Sequence, residues 1–204
     1  HEFSGIGARE FLEKLLTNKI PENGRIALAP MLNEAGKLIG DFTVVSLTDQ
    51  IAEEERFILF GSGIAEGYHQ RWFLEHIDND PTIRYKPIGN DMTGLSIAGP
   101  SSRDLLSSIT NEDVSAESFK FLDIQNMAIG MIPSLVGRIT FTGDLGWELY
   151  CDTVDQVELY NSLVTIAKEL NGGPIGSRAL MSLRIEKGYG SWSREYSPEY
   201  WPQE

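Results

Sequence analysis

Two stretches of the chain, residues 3–18 and residues 95–111, repeat one pattern of residue types. Each contains a glycine, three further residues, an arginine, an acid and two large apolar residues, followed a few places later by Thr-Asn. Gly5 and Gly99 occupy equivalent positions in the two copies. Two unrelated amphipathic helices that each follow a glycine could show a similar pattern by chance. We favour a supersecondary unit of strand, turn and helix that opens each half of the chain.

Between and after these copies, β-rich runs mix with helical patterns, without the regular βαβ order that predicts a parallel sheet. Residues 25–33 and 38–48 flank a Glu-Ala-Gly-Lys turn, which is typical of an antiparallel hairpin. The predicted elements are strands at 25–33, 38–48, 57–60, 124–142 and 147–151, and helices within the two repeated stretches and at 64–77, 154–170 and 176–187. We therefore expect an α+β fold of two similar halves, residues 1–85 and 86–204, each with mainly antiparallel sheet and packed helices.

Charge and cysteine content exclude several classes of function. The 204 residues include 30 acidic and 17 basic side chains, a formal charge of −13, so nucleic acid and anionic membranes are not expected partners. The sequence has no apolar run long enough for a membrane span and no signal-peptide pattern at its start. The single cysteine, Cys151, excludes an internal disulfide and favours a reducing compartment, the cytoplasm or alternatively the mitochondrial matrix. Because the chain starts without methionine, we expect a piece of a longer protein.

The histidine and cysteine positions do not predict a metal site. His69 and His76 lie seven residues apart on one predicted helix, and no second pair of ligands stands near them. We expect His69 to be a packing or surface residue. Cys151 follows a predicted strand with no histidine close in sequence, so we expect a buried, inert thiol.

Two carboxylates stand inside otherwise apolar strands. Asp41 precedes the run Phe-Thr-Val-Val, and Glu148 lies within Trp-Glu-Leu-Tyr. In that second strand Trp147 and Leu149 would face one way and Glu148 and Tyr150 the other. Each acid is either an outward-facing residue on a strand with one wet face or a residue that lines a ligand pocket. A pocket carboxylate can accept two parallel N–H bonds or act as a base, and the pattern leaves both interpretations open.

Four blocks of the sequence resemble one protein family. MLNEAGKLIGDFTV (31–44), LSIAGPSSRDLL (95–106), TFTGDLGWELY (140–150) and SLRIEKGYGSW (182–192) are similar to the tetrahydrofolate-binding aminomethyltransferase family. That family includes the glycine cleavage T-protein and the C-terminal halves of dimethylglycine and sarcosine dehydrogenases. The resemblance covers the chain from Phe3 to about Trp192, with the blocks in the family's order.

The resemblance implies a T-protein-like folate-binding fold and a role for both carboxylates. Glu148 matches the family glutamate that holds the pterin edge of the folate. Asp41 matches the family aspartate near the folate nitrogens that take the one-carbon unit, where it would position or activate the amine. Apolar residues that line the folate ring map to Leu28, Phe57, Leu59 and Phe141. Leu180 stands where the T-protein carries an arginine for the folate tail, so the resemblance implies that the tail is held differently here.

The implied function is a one-carbon transfer module that uses tetrahydrofolate, with small-molecule folate and a one-carbon donor as partners. Within the family, the blocks look most like the folate domain of dimethylglycine or sarcosine dehydrogenases. In such proteins a separate flavin domain oxidises an amine. This sequence has no FAD fingerprint, so FAD is expected only in an upstream domain. The alternatives are a free-standing aminomethyltransferase or demethylase of the same fold, and a non-catalytic regulatory module.

Overall fold

The first unit of the chain is built on a five-stranded antiparallel sheet. The computed structural model describes residues 1–49, 54–192 and 194–202. It divides into two units, one formed by His1–Gly89 with Gly190–Glu204 and the other by Asn90–Tyr189. The elements of the first unit are β1 (Glu2–Ser4), α1 (Ala8–Leu15), β2 (Arg25–Leu32), β3 (Leu38–Asp49), β4 (Glu54–Phe60), α2 (Glu66–Ile77) and β5 (Arg84–Lys86). The strand order is β2-β3-β4-β1-β5.

Helices α1 and α2 cover one face of this sheet. Their apolar residues, which include Leu12 and Phe73, pack with strand residues such as Phe3, Phe42 and Phe57 into one buried cluster. Burial of this apolar area is the main force that holds the unit together. The opposite face also carries buried side chains, which are Ile26, Val45, Leu47 and Ile58. The sheet is therefore apolar on both faces rather than on one.

The second unit has a four-stranded antiparallel sheet in the order β6-β9-β8-β7. Its elements are β6 (Met92–Ala98), α3 (Ser102–Ser107), β7 (Ile124–Ile129), β8 (Ile132–Gly137), β9 (Gly146–Asp152), α4 (Gln156–Glu169) and α5 (Ser177–Glu186). Trp147 and Leu149 of β9 pack with Leu106 of α3 and Leu159 of α4 in its buried cluster. The predicted α+β class with antiparallel sheets is confirmed.

Several predicted boundaries change in the structure. The predicted strand at 124–142 is two strands, β7 and β8, and its last residues form a loop. The predicted unit of strand, turn and helix is confirmed at the start of the chain, where the short strand β1 precedes α1. The sequence-based division falls after residue 85, whereas the first unit extends to Gly89 and also includes residues 190–204. Among the described residues, no helix combines the length and apolar character needed to cross a membrane.

The repeated sequence pattern is a repeated structural unit. In each copy a strand ends at a glycine with positive φ, 104° at Gly5 and 115° at Gly99, a conformation that residues with a Cβ rarely adopt. The carbonyl of Gly5 accepts from the backbone N–H of Ala8 at 3.1 Å, and that of Gly99 accepts from Ser102 at 3.1 Å. These residues are the first of α1 and of α3, so the same turn starts a helix in both units.

The arginine of each copy has the same two contacts. Arg9 donates to the carbonyl of Ile20 at 3.2 Å, and its guanidinium lies 5.2 Å from the ring centroid of Phe57. Arg103 donates to the carbonyl of Val114 and lies 5.1 Å from the ring centroid of Trp147. In both cases the carbonyl is 11 residues further along the chain. The shared contacts favour one supersecondary unit used twice over a chance echo.

Gly146 at the start of β9 tests the packing of the second sheet. A Cβ at this position would overlap the carbonyl oxygen of Ile97 and lie 2.9 Å from the Cα of Ala98. Since both obstacles are backbone atoms of β6, we expect Gly146→Ala to lower the free energy of unfolding by about 2–4 kcal/mol. Gly173→Ala is the control, because its Cβ would meet no atom within 4 Å. Equal stabilities of the two variants in urea denaturation would contradict this register of β6 and β9.

Candidate functional site

The β9 strand separates its side chains between the core and the opposite face of the sheet. Trp147 and Leu149 are fully buried in the core, and Cys151 is 3% exposed beside them. Glu148 and Tyr150 point to the other face and are partly buried. The predicted alternation is thus confirmed. It explains why an acid can stand between two core residues without entering the core.

Small neighbours surround Glu148 on this face. Strand pairing places Ser96 of β6 on one side of it and Gly137 of β8 on the other. Gly137 has no side chain and is itself buried, whereas Ser96 is exposed, so the neighbours of the carboxylate are small on both sides and the accessible side is that of β6. A flat ligand edge can approach the carboxylate from the β6 side.

Tyr150 is the hydrogen-bond partner of this carboxylate within the described part of the chain. Its hydroxyl donates to Oε2 of Glu148. Burial raises the pKa of Glu148, and the bond from Tyr150 opposes this effect by favouring the ionised form. Burial also raises the pKa of Tyr150, and the nearby carboxylate adds to that shift, so the phenol keeps its proton and remains a donor.

A cavity of about 490 Å³ lies in the second unit and contains two positions that the family resemblance links to folate. Phe141 and Leu180 both line it. Its walls are the edge strand β6, the start of α3, one face of α4 and the segment that leads into α5. None of its lining residues is charged. The cavity therefore suits an apolar or neutral part of a ligand.

Arg184 supports Phe141 from within the unit. The guanidinium of Arg184 is almost fully buried and lies 5.7 Å from the ring centroid of Phe141, a cation–π contact. It also donates to the carbonyl of Tyr189 at 2.6 Å. No local sequence pattern predicts a role for Arg184, since its contact with Phe141 depends on the tertiary fold.

In the first unit, Asp41 lies on the sheet face opposite the helices. Strand pairing puts it beside Pro30, and the next pair on the same face is Leu28 with Thr43. Phe60 pairs with Thr43 from the other side, so it belongs to this face as well. Asp41 and Leu28, two of the predicted site residues, thus come together, and Phe60 is a neighbour that the sequence pattern did not indicate.

Phe57 and Leu59 lie on the other face of the same sheet. Leu59 pairs with Val44 and Phe57 with Ser46, which places both side chains in the helix-covered core. Their exposed fractions are 0% for Phe57 and 1% for Leu59, against 54% for Leu28. Of the three residues of the first unit predicted to line the folate ring, only Leu28 has an accessible side chain. Phe57 and Leu59 are buried in the core on the other side of the sheet.

The carboxyl of Asp41 has an unusual environment for an exposed residue. The residue has solvent-accessible surface, yet burial of its carboxyl raises the pKa above the ordinary value. No hydrogen bond or charged neighbour contributes to this shift among the described residues. A carboxyl with a raised pKa is better suited to exchange a proton near neutral pH than an ordinary surface aspartate.

The two other residues considered from the sequence are packing residues. His69 is 1% exposed, with its Nε2 at 2.9 Å from the carbonyl of Ile39. Burial lowers its pKa, so the ring is neutral at pH 7. The thiol of Cys151 is buried and its pKa is raised by that burial, which confirms the predicted buried thiol and agrees with low reactivity.

Comparison with known proteins identifies the family. The model of the GCVT N-terminal domain family matches residues 1–204. The chain belongs to this family. It is 32% identical to human mitochondrial dimethylglycine dehydrogenase over 98% of the chain and 23% of that protein. It is 27% identical to an aminomethyltransferase of Bacillus cereus, over 100% of the chain and 54% of that protein.

Solved structures support the same fold. The glycine cleavage system aminomethyltransferase T from Bartonella henselae matches with a TM-score of 0.83 at 18% identity, over 98% of this chain and 52% of that one. The heterotetrameric sarcosine oxidase from Corynebacterium sp. U-96 matches with a TM-score of 0.59 at 12% identity, over 86% of this chain and 82% of that one. The chain spans about half the length of the aminomethyltransferases and about a quarter of the dimethylglycine dehydrogenases.

The raised pKa of Glu148 has a consequence for stability. Because the pKa of Glu148 is higher in the folded than in the unfolded state, the folded protein binds the Glu148 proton more tightly. The free energy of unfolding therefore falls as the pH rises through the folded-state pKa of Glu148. We expect Glu148→Gln to unfold at a higher temperature than the wild type at pH 8, with a smaller difference at pH 4. Thermal melts across this range test it, with the exposed Glu158→Gln as control. A Glu148→Gln variant that is less stable than wild type by the same amount at both pH values would contradict the assigned environment.

Proposed function

We propose that the chain is a tetrahydrofolate-binding module for one-carbon transfer and that Glu148 holds the pterin edge. The observation that carries this proposal is the environment of Glu148, a partly buried carboxylate beside Ser96 and Gly137 whose partner is one phenol. Burying a carboxylate without a cation costs free energy unless hydrogen-bond donors compensate. A pterin supplies a ring N–H and an exocyclic amine side by side, which match one carboxylate.

Phe141 and the uncharged cavity are proposed to receive more of the ligand. The ring of Phe141, backed by Arg184, offers a flat apolar contact. Leu180 lines the same cavity, and by the family resemblance it stands where the T-protein carries an arginine, so an apolar contact would take the place of a charged one. We therefore propose that folate binds this unit through its ring edge and apolar contacts rather than through a cation for its tail.

Asp41 is the proposed catalytic residue, with Leu28 as an apolar contact beside it. Its raised pKa suits a group that positions the folate amine or takes its proton. Tetrahydrofolate, when bound, supplies the amine that accepts the one-carbon unit. Phe57 and Leu59, which are buried on the core side of the sheet, are proposed to support the strands that carry Asp41 and Leu28.

For the whole protein we propose a dimethylglycine or sarcosine dehydrogenase-like architecture with an upstream flavin domain. The dimethylglycine dehydrogenase matched at 32% identity supports it over the alternative, a free-standing aminomethyltransferase or demethylase. A tethered folate module intercepts a reactive one-carbon unit before it escapes, because tethering raises its effective concentration. The dimethylglycine dehydrogenases matched are mitochondrial by name, which supports the mitochondrial matrix over the cytoplasm as the proposed location.

Folate binding tests the role of Glu148. We expect Glu148→Gln to weaken the binding of 5-formyl-tetrahydrofolate by about tenfold or more, because an amide cannot accept both N–H bonds with a negative charge. Titration followed by tryptophan fluorescence measures the dissociation constant, and Glu158→Gln on the exposed face of α4 is the matched control. Unchanged affinity in Glu148→Gln would refute the proposed contact.

Transfer activity in the full-length protein tests the role of Asp41. We expect Asp41→Asn to retain folate affinity within about threefold and to slow methylene transfer by about 10²-fold, the usual contribution of a general base. The exposed Asp78→Asn in the same unit is the control. Full transfer activity in Asp41→Asn would support the non-catalytic alternative for this residue.

A further inference from the structure

We infer that Tyr150 is a positioning residue that directs the Glu148 carboxylate and keeps it ionised for a ligand edge with two N–H donors. The inference rests on the proposed function and deepens it. Tyr150 is the group of this chain whose hydrogen bond favours the ionised form of Glu148, the form that such a ligand needs.

The ring of Tyr150 is held in place from both neighbouring strands. Gly94 of β6 stands opposite it, and a Cβ there would lie 2.9 Å from Cε1 of the tyrosine ring. Leu135 of β8, 6% exposed, stands opposite on the other side. The missing side chain at Gly94 leaves the space that the ring occupies, and the leucine closes the other side. The phenol oxygen therefore has a defined position relative to Glu148.

The hydrogen bond runs along the strand rather than across it. Residues two apart on a strand share a face, which brings the hydroxyl of Tyr150 to Oε2 of Glu148. This bond orients the carboxylate, while Oε1 and the second lone pair of Oε2 accept no other hydrogen bond from the described residues and remain available to a ligand. A carboxylate that is already oriented loses less entropy when a ligand binds.

The charge of Glu148 depends on this bond because no other charged group faces it in the described part of the sheet. The residues opposite it, Ser96 on β6 and Gly137 on β8, do not titrate. Tyr150 is the titratable side chain beside it on β9, and no described cation forms an ion pair with it. Burial favours the neutral acid, and the phenol donor favours the anion.

The protonation state decides which ligands fit. An ionised carboxylate accepts on both oxygens, whereas a neutral acid accepts on one and donates from the other. A ring edge with two parallel N–H donors, as in a 2-amino-4-oxo pterin, needs the ionised form. Tyr150 would thus help to select this class of ligand and extend its binding to lower pH.

The first test needs no ligand. Carbon-13 NMR of the chain with labelled glutamate carboxyl groups gives the titration of Glu148, assigned by the signal lost in Glu148→Gln. We expect Tyr150→Phe, which keeps the ring, to move the titration midpoint upward by about one pH unit, tenfold in the protonation equilibrium. Tyr200→Phe, with a tyrosine that is 39% exposed elsewhere, should leave it unchanged. An unchanged or lower midpoint in Tyr150→Phe would overturn the inference.

The second test measures 5-formyl-tetrahydrofolate affinity between pH 5.5 and 8.5. As the solution is acidified, we expect the folate affinity of Tyr150→Phe to begin to fall at a higher pH than that of the wild type. Relative to the wild type, the variant should bind about fivefold more weakly at pH 6.5, with a smaller difference at pH 8.5. A uniform loss at every pH would indicate packing alone and contradict the inference. A wild-type chain that binds no folate at any pH would refute the proposed function, while the NMR titration would still decide the role of Tyr150.

Discussion

The alternation of side chains along β9 is the constraint on which the candidate site depends. Trp147 and Leu149 are held in the core by α3 and α4, and strand pairing fixes the register of β9 between β6 and β8. A shift of one residue would expose the tryptophan and bury the acid. The packing of Trp147 and Leu149 in the core therefore fixes the position of Glu148 on the opposite face of the sheet.

Both candidate acids occupy places that stability alone does not favour. Burial raises the pKa of Asp41 and of Glu148, so each acid is less favourable in its charged form than it would be in water. Tyr150 offsets this effect at Glu148, and no described side chain does so at Asp41. Perturbed carboxylates of this kind concentrate at functional sites, where a ligand supplies the missing donors.

Much of the fold follows from sequence patterns that have a simple physical origin. The repeated glycine and arginine predicted two similar units, because each glycine takes a positive φ that starts a helix and each arginine ties that helix to a sheet aromatic. Alternation also predicted that Glu148 and Tyr150 share a face. These are local rules, so a single sequence suffices to apply them.

Other parts of the site depend on long-range pairing that no local pattern encodes. The register of β3 with β4 puts Phe57 and Leu59 in the core and Phe60 on the face of Asp41. The contact between Arg184 and Phe141 joins residues from a helix and a loop far apart in the sequence. The bond from Tyr150 depends on the space at Gly94, which only strand pairing reveals.

A crystal structure of the chain with 5-formyl-tetrahydrofolate tests the central claim most directly. We expect the two N–H groups of the pterin edge to lie about 2.7–3.0 Å from the carboxylate oxygens of Glu148, with the bond from Tyr150 preserved. A ligand bound elsewhere, with Glu148 facing solvent or paired with a cation, would contradict it.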